Sequence, residues 1–481
     1  MISSAAGRPP VLPTRAEFEH RRAELLAMKA KEAPPTQTPP VSEPPPPVDP
    51  VRSDPPGTLI GPELGPAALH GLAGLTVQTL LPHTEAHPAA ILVQFFAAFG
   101  NLLGPGPHCR VDSTRHGLNL FVVLVGDSSK ARKGTSWNQI RRLFQEVDQP
   151  WIENRITTAR LTAGGLLYTL RDQEPPTDRR LLALSEEFAS ALHSVSRNGS
   201  QLSPLLRRAW DGGHLEALDG RRQLRASDAH ISLIAHVTRR ELARILHPIE
   251  AHNGFANRCL WTLAQRTQFL PEGGSLAGED LSTLAAELRR VLDWAQSEPG
   301  LLFQRNEAAR RLWKDMYPYL TQFHPGLYGA ATSRAEAQVL RLSALYAALD
   351  CTAIIEPSHL MAAAFLWNYC SDSAALLFGT STGCPLADRI REAIAGSPDG
   401  LSSKQISAIF HGHVSAEQIR GALDHLMSLR ILSRHVQPTK GRPSLFWTAR
   451  ANDAVFDIPS ALTPVSQEDG FTAEDPPHQE T

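Results

Sequence analysis

The chain has 481 residues, a formal charge of -2 and 20% charged residues. That is enough for about two to three domains, with no global basic or acidic footprint to mark a nucleic-acid or membrane coat. Five cysteines (Cys109, Cys259, Cys351, Cys370, Cys384) form no C-x-x-C pair, which argues against a disulfide framework or zinc site and for reduced thiols. No segment reaches the ~18 apolar residues needed to cross a bilayer, and residues 1–10 lack the apolar stretch of a signal peptide. A soluble, cytoplasmic protein with no membrane partner is expected.

Residues 1–56 divide in two. Thr14 to Lys31 predicts a short helix with Thr14 as N-cap and Phe18, Leu25 and Met28 as anchors. Ala33 to Pro56, with Pro44 to Pro47 in a row, cannot form a core and reads as an extended linker. The pair is either a docking helix on a tether or a dispensable disordered arm.

From Leu59 the composition turns apolar. Leu69 to Leu81 predicts one helix. His87 to Leu103 predicts a second, with Pro88 in its first turn, Gly104 ending it, and Phe95, Phe96 and Phe99 as core. Two strands are then expected, Cys109 to Asp112 and Leu120 to Val125. The second is a β-branched apolar run typical of a strand buried on both faces of a parallel sheet.

That strand breaks at Gly126 into a small-residue, basic loop before a helical period resumes at Trp137, Ile140 and Phe144. Strand, Gly/Ser/Lys loop and helix is an arrangement that holds phosphates. Backbone N–H groups and the helix N-terminus face the anion, and a lysine adds a point charge. The candidate contacts are Gly126, Ser128, Ser129, Lys130, Arg132, Lys133, Gly134, Thr135 and Ser136, the two last offering hydroxyls to Mg²⁺. The loop departs from G-x-x-x-x-G-K-[ST]: the Gly-Lys order is reversed and the spacing is one residue longer. An ordinary βα turn with a solvated basic patch fits the same residues.

Leu181 to Leu184 predicts a short buried strand ending in Glu186 and Glu187. Carboxylates at such a strand end, following a phosphate loop, can hold Mg²⁺ or polarise water; they also suit the start of a helix. Leu202 to Asp211 is a helix stopped by Gly212-Gly213. Ala229 to Thr238 is a third buried strand carrying His236 and Thr238 to the same edge, where His236 is a candidate γ-phosphate sensor or a hydrogen-bonded strand-end histidine. A helix over Arg239 to His247 leads to a strand entered through Asn257 and Arg258. Open α/β sheets bind ligands beyond the carboxyl ends of their strands, so these groups can converge.

Pro271 to Gly274 marks a boundary, and residues 276–380 read as helices throughout, with a capping box at Ser333 to Glu336. Arg334 and Arg341 read as packing rather than nucleotide contacts. From Cys384 three helices, the third opening on a capping box at Ser415 to Gln418, and a hairpin around Pro438 to Pro443 predict a winged helix. Residues 401–450 hold seven Lys/Arg against two Asp/Glu, an excess that suits DNA phosphates, with Arg420, Arg430, Arg434, Lys440 and Arg442 as candidates. Winged helices also dock proteins. Residues 451–481 are acidic and expected to be disordered.

The loop Val125-Gly-Asp-Ser-Ser-Lys-Ala-Arg-Lys-Gly-Thr-Ser, the Leu-Leu-Ala-Leu-Ser-Glu-Glu-Phe strand, Ala209-Trp-Asp-Gly and Asn253-Gly-Phe-Ala-Asn-Arg occur in this order. Together they resemble an uncharacterised RecA-like P-loop family of mobile elements and prophages. That family is associated with primase-polymerase domains and is similar to RepA-type replicative helicases. Across residues 60–450, the resemblance implies an α/β RecA-like P-loop NTPase core (57–272), an all-α extension (273–383) and a C-terminal winged helix (384–450). It implies ATP and Mg²⁺ as cofactors, held by Lys133, Thr135 and Glu186 or Glu187, and Arg258 as a catalytic finger acting on a neighbouring subunit. Expected partners are DNA, further copies of the chain in a homo-oligomer (a hexamer is one form the resemblance allows), and a primase-polymerase. Members often carry a glutamate where this chain has Ala163-Gly164-Gly165-Leu166, which implies slow hydrolysis. The two expected functions are a DNA helicase or helicase-like replication ATPase, and a DNA-binding adaptor with little turnover.

Overall fold

The computed structural model describes residues 61–450 except 128, 175–177, 196, 198, 220–221, 247–252, 380, 383, 430 and 438–443. The expected N-terminal helix, the proline-rich linker and the acidic tail lie outside the described residues.

The first elements are α1 (Gly71–Leu80) and α2 (Pro88–Leu103). The His87 ring caps α2 by accepting from Ala89 N–H, and Gly104, at φ 77°, ends it in a conformation only glycine adopts cheaply. Every side chain from Ala89 to Leu102 is buried, as befits a helix apolar all round its circumference. Two polar residues break that pattern. Asn101 donates to the carbonyls of Leu181 and His230 at 3.0 and 3.2 Å and accepts from Trp151 Nε1 at 3.0 Å, fixing the helix to two strands. The other, Gln94, belongs to the site described below.

A hairpin follows, β1 (His108–Val111) and β2 (Thr114–Gly117). Only one strand was expected here, running into the loop strand. Asp112, at φ 50°, supports a two-residue turn between Val111 and Thr114 instead.

Next come β3 (Phe121–Val125), α3 (Lys133–Val147), α4 (Gln149–Asn154), β4 (Ile156–Thr157), α5 (Ala163–Leu170), β5 (Arg180–Ser185), α6 (Phe188–Val195) and α7 (Leu202–Asp211). A small antiparallel pair, β6 (Leu215–Asp219) and β7 (Arg222–Ala226), precedes β8 (His230–Val237), α8 (Arg239–Ile245) and β9 (Cys259–Leu263). Five of these strands form one parallel sheet in the order β4-β5-β8-β3-β9.

Both faces of that sheet are covered. Val122, Leu124, Leu182, Leu184, Ile234 and Leu260 enter one core with α2, while Phe121, Val123, Val125, Leu181, Ala183, Leu233 and Trp261 enter the other. The period-2 alternation thus feeds two cores, which is why the strands read as continuous apolar runs. The chain is mixed α/β with a parallel sheet, as expected.

Residues 276–380 were expected to be helical throughout. Helices α9 (Gly278–Ser297), α10 (Glu307–Leu320), α11 (Gly326–Thr332), α12 (Ala335–Leu349) and α13 (Pro357–Phe378) are present, but two short strands intervene, β10 (Leu302–Arg305) and β11 (Ile354–Ile355). These join the first hairpin in a second sheet, ordered β11-β10-β1-β2. Side chains of α12 and α13 also share one continuous core with α1, α2 and α3. The capping box at Ser333 does not form: Arg334 occupies the N-cap of α12, and Ser333 donates to Ala330 O of the preceding helix at 3.2 Å. Where two helices nearly abut, the first one's free carbonyl takes the hydroxyl.

The last elements are α14 (Pro385–Ala395), β12 (Leu401–Ser402), α15 (Ser403–Ile409), α16 (Ala416–Ser428), β13 (Leu432–Gln437) and β14 (Ser444–Ala449). The strands form an antiparallel sheet ordered β12-β14-β13 over a core of Ile390, Ile394, Ile406, Leu426 and Trp447. Capping boxes start α15 (Ser402/Gln405) and α16 (Ser415/Gln418), the latter expected from the sequence.

Candidate nucleotide site

The register puts Val125 beside Val237 and Leu263, and Ser185 beside Ala235, so β3, β5, β8 and β9 end at one edge of the sheet. Past that edge, β3 delivers Gly126 and the basic loop, β5 delivers Glu186 and Glu187 in a turn, and β8 delivers Thr238 at the start of α8. One open cavity is lined by Arg132, Lys133, Gly134, Thr135, Glu186, Glu187, His236, Val237, Thr238 and Glu241. A Cβ placed on Gly134 would lie 3.8 Å from Glu186 Oε1, so the acidic turn faces the first turn of α3 across this space.

Lys133 opens α3, and no side chain caps that helix. The first N–H groups of a helix have no intrahelical acceptor and carry its positive end, so they are free to meet an anion. Lys133 Nζ reaches back to donate to Gly126 O at 2.7 Å. Burial lowers its pKa, against the opposing pull of Asp127 and Glu241. Gly126 itself is required by packing, since a Cβ there would come within 2.3 Å of Ala264 O and 2.6 Å of Ala131 Cβ.

Arg132 takes a left-handed backbone, φ 53° and ψ 29°, immediately before the lysine. That is where the usual signature has its second glycine, and for an arginine it stores about 1 kcal/mol or more of strain. Glu85 holds it there. Its carboxylate accepts from Arg132 Nε and from Leu270 N–H at 2.9 Å, with Arg266 Nε 3.6 Å away. The Leu270 hydrogen bond is the main reason the Glu85 carboxyl stays below its ordinary pKa.

Beneath the loop runs a chain of buried hydrogen bonds. His236 Nε2 lies 3.1 Å from Gln94 Oε1, Gln94 Nε2 donates to Ser136 Oγ at 2.6 Å, and Ser136 donates to Lys133 O at 2.6 Å. Gln94 Nε2 also donates to Ala90 O, which assigns its oxygen to His236 and the proton to His236 Nε2. Burial pushes the His236 pKa down to about 4, with Lys133 adding to the effect, so the ring is neutral near pH 7.

The structure therefore sorts the expected contacts. Lys133, Gly134, Thr135, Arg132, Glu186, Glu187 and His236 meet at one cavity. Ser136 does not: its hydroxyl is buried and committed to Gln94 and Lys133 O, so it supports the loop instead of offering a Mg²⁺ ligand. Ser129 and Lys130 lie in a short 3-10 turn, with Lys130 exposed, and Ser128 is outside the described residues.

Arg258 is placed at the opposite end of the sheet, just before Cys259, which pairs with the first residue of β3. It is buried, ion-paired to Asp211 at 2.7 Å and bonded to Gly254 O. Arg334 and Arg341 join it around Trp210. In the C-terminal module Arg420 and Arg434 are exposed, on α16 and β13; Arg430, Lys440 and Arg442 lie outside the described residues.

Sequence reading missed Glu85, Gln94 and Glu241. Gln94 had a signal, a lone amide within an otherwise apolar stretch of helix, which a buried hydrogen-bond requirement explains. No family model matches the chain, and no curated protein matches it.

Proposed function

We propose that the cavity binds the triphosphate of ATP with Mg²⁺, and that the chain is a RecA-like ATPase acting on DNA. The observation that carries this reading is the meeting of Lys133 and the uncapped start of α3 with two carboxylates delivered by the next strand but one. A strand bearing His236 separates the two. Anion-binding N–H groups, a cation and acidic groups within one crevice at strand carboxyl ends suit a metal-bound polyphosphate.

Lys133 and the Gly134 and Thr135 N–H groups would hold the phosphates. Thr135 and Glu186 would hold Mg²⁺, which shields phosphate charge when bound. Glu187 would orient and deprotonate a water, while the neutral His236, its Nε2 proton given to Gln94, would offer only its Nδ1 lone pair as an acceptor.

The DNA part of the reading rests on the C-terminal module. We read its three helices and antiparallel strands as the winged helix expected from the sequence, and the excess of seven basic over two acidic residues in 401–450 suits a phosphate backbone. With the sequence resemblance, this makes a helicase-like replication ATPase that works with a primase and assembles with further copies of itself. A second reading, a nucleotide-gated DNA-binding adaptor with little turnover, is favoured by one observation. Arg258, the charge expected to complete a neighbouring subunit's site, is buried and held by Asp211 instead of being presented at the surface.

The test is ATP hydrolysis by the full chain with and without single-stranded DNA, beside Lys133→Ala and Glu187→Gln. DNA-stimulated turnover lost in both variants supports the motor. Mg²⁺-dependent binding without turnover, lost only in Lys133→Ala, supports the adaptor. No nucleotide binding by the unaltered chain would overturn both.

A further inference from the structure

Beyond β9 the chain runs alongside the loop. Ala264 N–H donates to Val125 O at 2.8 Å, and residues 265–270 are then stapled to residues 81–86. Thr267 donates from its backbone to Glu85 O and from its hydroxyl to Ala86 O, both at 3.2 Å. Gln268 Nε2 donates to Leu81 O and Thr84 O at 2.7 Å each, and Leu270 N–H donates to Glu85 Oε1 at 2.9 Å. In the middle of this pinned segment Phe269 stands 67% exposed, with the Arg266 guanidinium 5.1 Å from its ring centroid.

One exposed aromatic side chain is ordinary on any protein surface. This one differs in what holds it. The same Glu85 carboxylate accepts from Leu270 N–H, next to Phe269, and from Arg132, next to Lys133. One residue thus ties the turn that starts at Lys133 to the pinned backbone that carries an exposed ring. We infer that Phe269, backed by Arg266, is the stacking platform for the nucleobase of the triphosphate held at Lys133. This deepens the nucleotide-binding reading and rests on it. A ring on backbone pinned before the ligand arrives lowers the ordering cost of stacking a base, and the arginine adds a cation–π contribution.

The experiment is a titration of the full chain in Mg²⁺ with ATP and, separately, with inorganic tripolyphosphate, for the unaltered protein, Phe269→Ala, Phe269→Trp and Lys133→Ala. A stacked base makes ATP the tighter ligand. Phe269→Ala is expected to weaken ATP by about five-fold or more and leave tripolyphosphate unchanged, while Phe269→Trp keeps ATP tight. Lys133→Ala weakens both ligands. Because the ring is exposed, Phe269→Ala should keep the thermal midpoint of the unaltered chain, which separates lost stacking from lost folding. Equal ATP affinity in Phe269→Ala and the unaltered chain, with Lys133→Ala still defective, would overturn the platform and leave the phosphate site standing. Failure of the unaltered chain to bind either ligand would overturn both.

Discussion

Gln94 and Ser136 are joined by a hydrogen bond of 2.6 Å between a buried helix and the first turn of α3. Through it the His236 ring on β8 is connected to the carbonyl of Lys133. A polar relay under the first turn of α3 ties the position of Lys133 to the strand beside it, and His236, Gln94 and Ser136 are all buried.

Gln94→Leu should therefore cost about 1–3 kcal/mol of stability, because it leaves His236 and part of the Ser136 hydroxyl without partners in a dry interior. A urea titration of both proteins measures this. A midpoint unchanged by the substitution would mean that water replaces the amide.

The two hydroxyls that look equivalent in sequence should behave differently. Thr135→Ala is expected to weaken Mg²⁺-dependent ATP binding about ten-fold, the scale of losing a group at a metal site. Ser136→Ala should leave that affinity near the unaltered value and lower stability by about 1 kcal/mol. Calorimetric titration and thermal melts of both variants separate the two effects; the reverse pattern would reassign the ligand.

Acid should loosen the fold before the carboxylates titrate. Burial holds the pKa values of His87, His230 and His236 at about 4, below the ordinary 6.5. An unfolded chain therefore binds more protons between these values, so stability is complete above about pH 6.5 and falls as the pH drops towards 4. Each ring costs up to about 3 kcal/mol of stability by the time the pH has fallen to about 4. Unfolding midpoints taken at pH 7.5, 6.5, 5.5 and 5 should fall steadily, and His236→Gln should flatten part of the slope.

Arg341 should be among the costliest side chains to remove. It is fully buried, donates from Nη1 to Asn119 O at 2.8 Å and from Nη2 to Trp210 O at 2.8 Å, and stacks 3.6 Å from the Trp210 ring centroid. Arg341→Ala leaves those carbonyls bare and a cavity beside the tryptophan, a loss of about 3 kcal/mol or more. Arg334→Ala, a partly exposed neighbour, should cost much less, and chemical denaturation of the pair tests the contrast.

In the C-terminal module, Arg420→Ala with Arg434→Ala should weaken DNA binding without sequence preference and lower the salt dependence by about one unit of slope per residue. Anisotropy titrations across a salt series give that slope directly. An unaltered slope would make the module a protein-docking element.

Much of the local structure was legible in the residues. Pro88 and Gly104 bound α2, the β-branched runs at Phe121–Val125 and His230–Val237 are strands, and Ser415 with Gln418 starts α16. These follow from backbone restriction, side-chain periodicity and the need to satisfy free helix N–H groups, all set by residues within a few positions of one another. The chain by itself also placed Lys133 after one buried strand and Glu186-Glu187 after another.

What only the tertiary structure decided is which of these meet. The order β4-β5-β8-β3-β9 brings Lys133, Glu187 and His236 to one cavity and leaves Arg258 at the far edge beside Asp211. Whether Thr135 or Ser136 faces the cavity depends on where α2 presents Gln94, 42 residues from Ser136 in sequence. The strand at Leu302–Arg305 exists because β1 offers it an edge to pair with. Strand order, edge pairing and the facing of a hydroxyl are fixed by long-range packing and buried hydrogen-bond satisfaction, which no local pattern of residues encodes.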